Sequence, residues 1–328
     1  MVKVSIVIPI YNAEMHLELC LNSLIQQTAN DWECLLIDDC STDSSAEICH
    51  RYISQYPSQF IYQKNHSNSG PGVSRNNGIS LIHGKFFTLV DCDDLLPHDA
   101  LETMINSIND ADILIGNFAC FNYGDSTNNI TEYSEISELS FYDPLSQHNL
   151  YNACLPWARM FRSEFWKNNQ FNFPPEYMED ALIWPAIAVS AKHIAITSKI
   201  VYYHSICNHN STSRIMVRYT IFYPSVKARL EIMKNYKLLQ DNNYFISALL
   251  NDLYRCIEDQ DFFWQRYQIF KLLREYLPNL PNPQTLSVLP SYKVKKLNKM
   301  YQYGLIYFVI KPKSNYIKKR LKSLFKQI

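Results

Sequence analysis

Hydrophobic and polar positions alternate in blocks over the first 118 residues, and the blocks carry two different periods. Val4–Ile10 (VSIVIPI) is a β-branched run that suits a strand buried on both faces. Asn12 stands where an N-cap is expected, and Leu17, Leu21, Leu24 and Ile25 then share one helical face. Glu33–Ile37 predicts a second strand, ending in Asp38-Asp39, and Ser41-Thr42-Asp43 can cap a helix over roughly 43–56. Gln59–Gln63 reads as a third strand, Asn68–Gly72 as a turn and Val73–Ile82 as a helix. Lys85–Val90 predicts a fourth strand, followed by Asp91-Cys92-Asp93-Asp94. A helix carrying Leu101, Met104, Ile105 and Ile108 comes next, and Asp112–Ile115 opens a fifth strand.

Strand and helix alternate in this stretch, which predicts an α/β fold with a parallel sheet covered by helices. In open sheets of that kind ligands bind at the carboxyl ends of the strands. Three polar clusters fall there, at Pro9–Asn12, Asp38-Asp39 and Asp91–Asp94. Residues 120–150 are polar and irregular, as a surface loop or hairpin would be. Apolar runs return from Pro156 to Tyr203 with a polar break at Pro174–Asp180, and 204–214 is a polar loop. From about 216 the texture becomes helical and rich in Tyr, Leu and Lys. The expected boundary therefore divides 1–215 from a basic helical region, 216–328, with the first part split into halves at about 118/119.

Composition adds one asymmetry. The formal net charge is zero, but the 53 residues from Tyr276 hold 11 Lys or Arg and no acidic residue. The first 275 residues hold 20 basic and 31 acidic groups. An acidic body with a basic tail suggests an anionic partner for the tail. Nine cysteines are scattered with no CxxC pair, which reads as reduced thiols in a cytosolic protein. The N-terminus has no signal-peptide pattern. The longest late apolar run, Tyr303–Ile310, is eight residues, whereas a bilayer takes about 20. The expected location is cytoplasmic, and the Asn-x-Ser/Thr triplets at Asn65, Asn129 and Asn210 then have no glycosylation role.

Two carboxylates one residue apart, Asp91 and Asp93, can grip Mg2+ or Mn2+ together with the oxygens of a diphosphate, because hard ions prefer oxygen ligands. By itself the triplet reads rather as a solvated acidic turn that caps the next helix. Asp38-Asp39 can accept from a base imide or ribose hydroxyl, or can simply end a strand ahead of a helix cap. Asn68–Arg75 (NSGPGVSR) can face phosphate through its backbone N–H groups and Arg75, or be an ordinary turn.

In combination these segments closely resemble family 2 glycosyltransferases, which have the GT-A fold. The resemblance rests on Pro9-Ile10-Tyr11-Asn12, Asp38-Asp39-Cys40-Ser41-Thr42-Asp43, Ser74-Arg75-Asn76-Asn77-Gly78-Ile79 and Asp91–Asp94, in order, and spans about residues 3–205. Cys40 stands where the family usually has Gly and Ser74 where it has Ala. The cysteine suggests that the turn after Asp39 needs no positive φ.

The resemblance implies a mostly parallel sheet flanked by helices and an inverting transfer from a nucleotide-diphosphate sugar. It places Tyr11 and the backbone near Pro9 around the uracil of a UDP-sugar and gives Asp39 the base N3–H. Arg75 falls near the base or the diphosphate. Asp91, with Cys92 beside it, contacts ribose or a metal-bound water, and Asp93 is the ligand of Mn2+ or Mg2+. Glu179-Asp180 matches a late acidic pair whose Asp is the general base, with Glu179 orienting the acceptor sugar. Trp157 fits a segment in which an aromatic lies beside the acceptor, though core packing serves as well. His204 completes the metal shell in some relatives and is otherwise structural, and Arg214 could close over the diphosphate.

In the tail, Ile317, Leu321, Leu324, Phe325 and Ile328 share a helical face amid the lysines. A basic amphipathic helix of this kind lies on an anionic membrane surface, here the inner face of the cell membrane, or packs on the catalytic domain with its basic face solvated. Nucleic acid is not an expected partner, since no recognition module accompanies the charge. The acceptor is expected to be a glycan or lipid-linked glycan of a bacterial-type surface polysaccharide. A nucleotidyltransferase would need a Gly- and Lys-rich phosphate loop after the first strand, where this chain reads PIYNAEMH. A degenerate, non-catalytic sugar-nucleotide module is the other alternative.

Overall fold

Strand β1 (Val4–Ile10) runs through the middle of the sheet with every residue buried, and β2 (Trp32–Asp38) beside it is buried throughout as well. That double-sided burial explains why both read as unbroken apolar runs rather than alternating ones. The computed structural model describes residues 2–121, 155–176, 178–205, 219–237, 250, 263–278 and 291–303. The chain divides into two compact units, Met1–Ile215 and Met216–Ile328.

The first unit holds β1, α1 (Leu17–Ile25), β2, α2 (Ser45–Gln55), β3 (Phe60–Lys64), α3 (Gly70–Ser80), β4 (Phe86–Leu89), α4 (Ala100–Ile108) and β5 (Ile113–Phe121). After them come β6 (Arg159–Arg162), α5 (Ser163–Asn168), α6 (Glu179–Ser190) and β7 (Ile194–Ser205). The strands lie in the order β3-β2-β1-β4-β6-β5-β7. Only β6 is antiparallel to its neighbours β4 and β5, so among the described residues the sheet is mostly parallel, with helices on its faces. The ends of β1, β2, β4, β5 and β7 and the beginning of β6 therefore share one edge. Leu17, Cys20, Leu21 and Leu24 of α1 and Leu101, Met104 and Ile108 of α4 join one core with β1, β2 and Met160 of β6.

Two local expectations are corrected here. Asn12 does not cap α1: the N-cap is His16, and Asn12, at φ +49°, accepts the Thr42 N–H on Oδ1 at 2.8 Å. Nor does the turn after Asp39 avoid positive φ, because Cys40 lies at φ +64°. Its thiol donates to Asn65 O at 3.0 Å, and Ser41 N donates to Asp38 Oδ1 at 2.8 Å, so both flanks of the turn are tied down. A left-handed residue persists where its surroundings over-determine it.

The second unit contains α7 (Tyr219–Asn235), α8 (Phe263–Tyr276) and α9 (Ser291–Tyr303) among its described residues. Leu230, Met233, Ile269, Leu273 and Leu297 are buried. Tyr301 Oη donates to Leu277 O at 3.0 Å, and Arg274 lies 5.2 Å over the Tyr301 ring. No described helix is long and apolar enough to cross a membrane. The 120–150 loop beyond Phe121, Arg214 and the amphipathic face 317–328 lie outside the described residues.

Candidate active site

The loops that follow β1 and β2 are stitched together before any ligand is considered. Asn12 N donates to Ser41 Oγ at 3.0 Å, Ala13 N to Ser45 Oγ at 2.8 Å and Glu14 N to Asp43 Oδ2 at 3.0 Å. Asp39 N donates to Ile10 O at 2.7 Å. Tyr11 is thereby held at the sheet edge, half exposed. Asp38 is internal: burial pushes its carboxyl up, but bonds from Ser41 and Tyr62 and the charge of Lys64 leave it lowered on balance.

Asp39 turns away from solvent. Its oxygens accept Asn65 Nδ2 at 2.8 Å, Ser69 N at 3.0 Å to both oxygens, and Gly70 N at 2.7 Å. Those amides open α3, so Asp39 caps this helix from 30 residues away. That tertiary cap explains why α3 begins at Gly70 and not at the expected Val73, with Pro71 in its first turn. The reading of Asp39 as partner of a base N3–H meets oxygens already occupied.

Helix α3 carries the SRNNGI segment and uses two faces. On one, Gly78 lies so close to β1 that a Cβ would stand 2.3 Å from Val7 Cγ1. On this side Asn65 Nδ2 also reaches Ser74 Oγ at 2.9 Å. On the other face, Gly72, Arg75 and Asn76 grip the segment ahead of α6. Asn76 exchanges two 2.8 Å bonds with the backbone of Phe173, and a Cβ on Gly72 would stand 2.8 Å from Pro174 O and 2.9 Å from Glu179 Cγ.

Arg75 is buried at the centre of this arrangement. Its NH2 donates to Asp91 Oδ1 at 2.8 Å, its NH1 to Glu179 Oε1, and its guanidinium lies 5.6 Å over the Phe173 ring. Burial disfavours its charge, but Asp91 and Glu179 more than compensate and raise its pKa. Both forks therefore rest on carboxylates of the chain, and Glu179 faces Arg75. The assigned roles of Arg75 on the nucleotide and of Glu179 on the acceptor are not what these contacts show.

Asp180 is the second residue of α6, whose N-cap is Met178 in the left-handed region at φ +65°. Burial first, and then the charge of Glu179, push its carboxyl up to about 7, against the opposing pull of Arg75 and the Ala181 N–H. A carboxylate of that strength is suited to taking a proton near neutral pH.

The turn after β4 faces the end of β7. Asp94, fully buried, accepts Tyr202 Oη at 2.7 Å, Ser205 N at 2.7 Å and His204 Nδ1 at 3.2 Å. Desolvation raises Asp94 to about 7. Burial lowers the His204 pKa, but the bond and charge of Asp94, with the charges of Asp91 and Asp93, leave it raised overall. Cys92 sits between the two outer acids, takes the Tyr11 N–H, and is pushed well up, chiefly by burial.

Trp157 is enclosed by other rings. It stacks on Tyr202 at 4.7 Å and 9°, on His204 at 4.7 Å and 21°, and meets Phe118 edge-on at 4.9 Å. It is 5% exposed, so core packing is the role the structure gives it. Sequence reasoning left Asp94, Asn65, Asn76 and Tyr202 without roles. Asp94 and Asn76 stood inside the quoted motifs, and their position there was the available signal.

Among the described residues no group of three or more His, Cys, Asp or Glu is arranged to hold a metal. The expected ligands are Asp93 and His204, and the charge of Asp93 is felt at the His204 ring. The ring of His204 is fixed through Nδ1 by Asp94, which leaves Nε2 for a ligand.

The family model described as Glycosyl transferase family 2 matches residues 5–168. The glycosyltransferase GlyG of Streptococcus pneumoniae is 28% identical over 61% of this chain and 70% of its own length. The poly(ribitol-phosphate) beta-glucosyltransferase of Bacillus spizizenii is 27% identical over 90% of this chain but 48% of its own length. Two of the first three curated relatives are thus covered over half their length or less, at 32% and 48%. Among solved structures, TarS 1-349 of S. aureus in complex with UDP-GlcNAc superposes with a TM-score of 0.70 at 21% identity, over 93% of this chain and 89% of that one. At that identity the likeness is one of fold, here the GT-A fold.

Proposed function

This chain belongs to glycosyl transferase family 2, and from that premise we propose that it is an inverting, metal-dependent glycosyltransferase. It moves a hexose or N-acetylhexosamine from a UDP-sugar to a hydroxyl of a surface-glycan acceptor. The observation that carries the reading is the shared guanidinium of Arg75, which brings Asp91 of the β4 turn and the Glu179-Asp180 pair of α6 together. The relatives support the substrate class: the Bacillus spizizenii protein is named for glucosyl transfer to poly(ribitol-phosphate), and the TarS structure holds UDP-GlcNAc.

Inversion needs a base on the side of the sugar opposite the leaving group. Asp180 takes the acceptor hydroxyl proton as that oxygen attacks the anomeric carbon, and the bond from that carbon to the diphosphate oxygen breaks. The diphosphate leaves with its electron pair, and the proton passes from Asp180 to solvent. Asp93 and His204 would hold Mn2+ or Mg2+, which when bound neutralises charge on the diphosphate. Tyr11 and the β1 end flank the base, with Asp91 and Cys92 nearer the ribose. The basic tail, with Lys295 and Lys299 exposed on α9, is the surface for an anionic partner, either the membrane or a charged acceptor.

The test is release of UDP from a panel of UDP-sugars with Mn2+ or EDTA, in the absence of acceptor. Metal-dependent release from one sugar names the donor. No release, with no thermal shift on adding UDP and Mn2+, overturns the reading.

A further inference from the structure

Arg75 has an unusual set of partners for a residue expected to hold a nucleotide. It is buried, each terminal nitrogen rests on a carboxylate from a different part of the chain, and its Nε has no hydrogen-bond partner among the described residues. We propose that Arg75 is a positioning residue, which fixes the start of α6, and so Asp180, against the donor-side turn at Asp91.

The proposal rests on the reading of Asp180 as the base. The neighbouring contacts point the same way. Asn76 clamps the Phe173 backbone by two bonds, and Gly72 lets Pro174 and Glu179 approach α3 directly. Arg75 lies at the third corner of the same helical face, over the Phe173 ring. The segment they hold ends in the left-handed Met178, a conformation that persists only under such constraint. The charged groups influencing Asp180 are Glu179 on its own helix, Arg75 from α3 and Asp91 from the end of β4. One cation thus stands among three acids. Without it Asp180 is left with two like charges and a looser helix start, and binds its proton more tightly. Lysine keeps the charge but not the fork that holds both carboxylates.

The experiment compares R75M, R75K and E179Q in the full chain. It reads UDP affinity with Mn2+, kcat and donor KM, the pH profile of kcat, and the Asp180 titration by carboxyl carbon NMR assigned through D180N. R75M is expected to lose about 10- to 100-fold in kcat, the scale of a misplaced catalytic group. Its UDP affinity and donor KM stay within about threefold, far below that change. The acid limb moves to higher pH in R75M and to lower pH in E179Q, and R75K recovers part of kcat. Loss of UDP binding in step with kcat in R75M overturns the proposal and returns Arg75 to the nucleotide. An Asp180 titration that is the same in all three variants overturns it as well. If R75M does not fold, the isosteric E179Q decides by the same titration. Wild-type protein that turns over no UDP-sugar defeats the base reading instead, while the titration still reports whether Arg75 governs Asp180.

Discussion

Asp94 Oδ2 lies 3.2 Å from His204 Nδ1, at the point where the β4 turn meets the end of β7. The same carboxylate takes the Tyr202 hydroxyl and the Ser205 N–H, so it cannot swing away from the imidazole without losing both. A histidine oriented in this way presents its other nitrogen to a cation. Asp94→Asn is therefore expected to weaken Mn2+ binding in the presence of UDP by about 10- to 100-fold, the usual cost of removing such a partner. Calorimetric titration of Mn2+ into the protein with UDP checks it. Unchanged affinity would show that His204 is not on the metal.

Asp180→Asn is expected to reduce transfer by about 10²–10⁴-fold, the range for a general base, with UDP affinity retained. In wild-type protein the rate should rise with pH through about 7, because the carboxylate must be ionised and its pKa is raised to that value. The same shift acts on stability. With the folded value above the unfolded one, the contribution of Asp180 is present below the unfolded pKa and is lost as pH rises through about 7. The asparagine variant should thus gain stability relative to wild type as pH rises from 5 to 8. Denaturant melts at the two pH values measure this, and an equal difference at both would contradict it.

Trp157→Ala should cost about 3–5 kcal/mol of stability, as for other buried aromatics. The ring is covered by Tyr202, His204 and Phe118, so its loss opens a cavity beside His204. A variant of unchanged stability with only a raised acceptor KM would restore the sugar-stacking role.

Cys40 tests the strained turn. Left-handed backbone costs an L-residue about 1–2 kcal/mol, which glycine avoids. Cys40→Gly loses the thiol bond to Asn65 O but relieves that strain, and should leave stability near or above wild type. Cys40→Val, β-branched at the same φ, should fall below Cys40→Gly by about 1–2 kcal/mol. Chemical denaturation of the pair gives the order directly, and a valine variant as stable as the glycine one would remove the strain argument.

The strands and most of the helices were legible because each rests on a local pattern. Val4–Ile10 is apolar throughout because both faces of a central parallel strand are buried, and the Leu17–Leu24 spacing follows from one helical face meeting the sheet. The start of α3 was not legible, since the carboxylate that caps it belongs to Asp39. The turn at Cys40 misled because a glycine is the usual answer to positive φ, and here two flanking bonds hold a cysteine there instead.

By itself the sequence determined the order of strand and helix and the acidic clusters at strand ends, because those depend on side-chain type and short-range periodicity. Tertiary structure alone decided what each acid does. It turned Asp39 inward onto α3, set Asp94 behind His204, placed Trp157 in the core, inserted β6 antiparallel between β4 and β5, and put Arg75 between Asp91 and a glutamate 104 positions further along. Those pairings form only when distant segments close on one another. A carboxylate written into a motif looks the same in sequence whether it will meet a substrate, a helix end or a buried arginine.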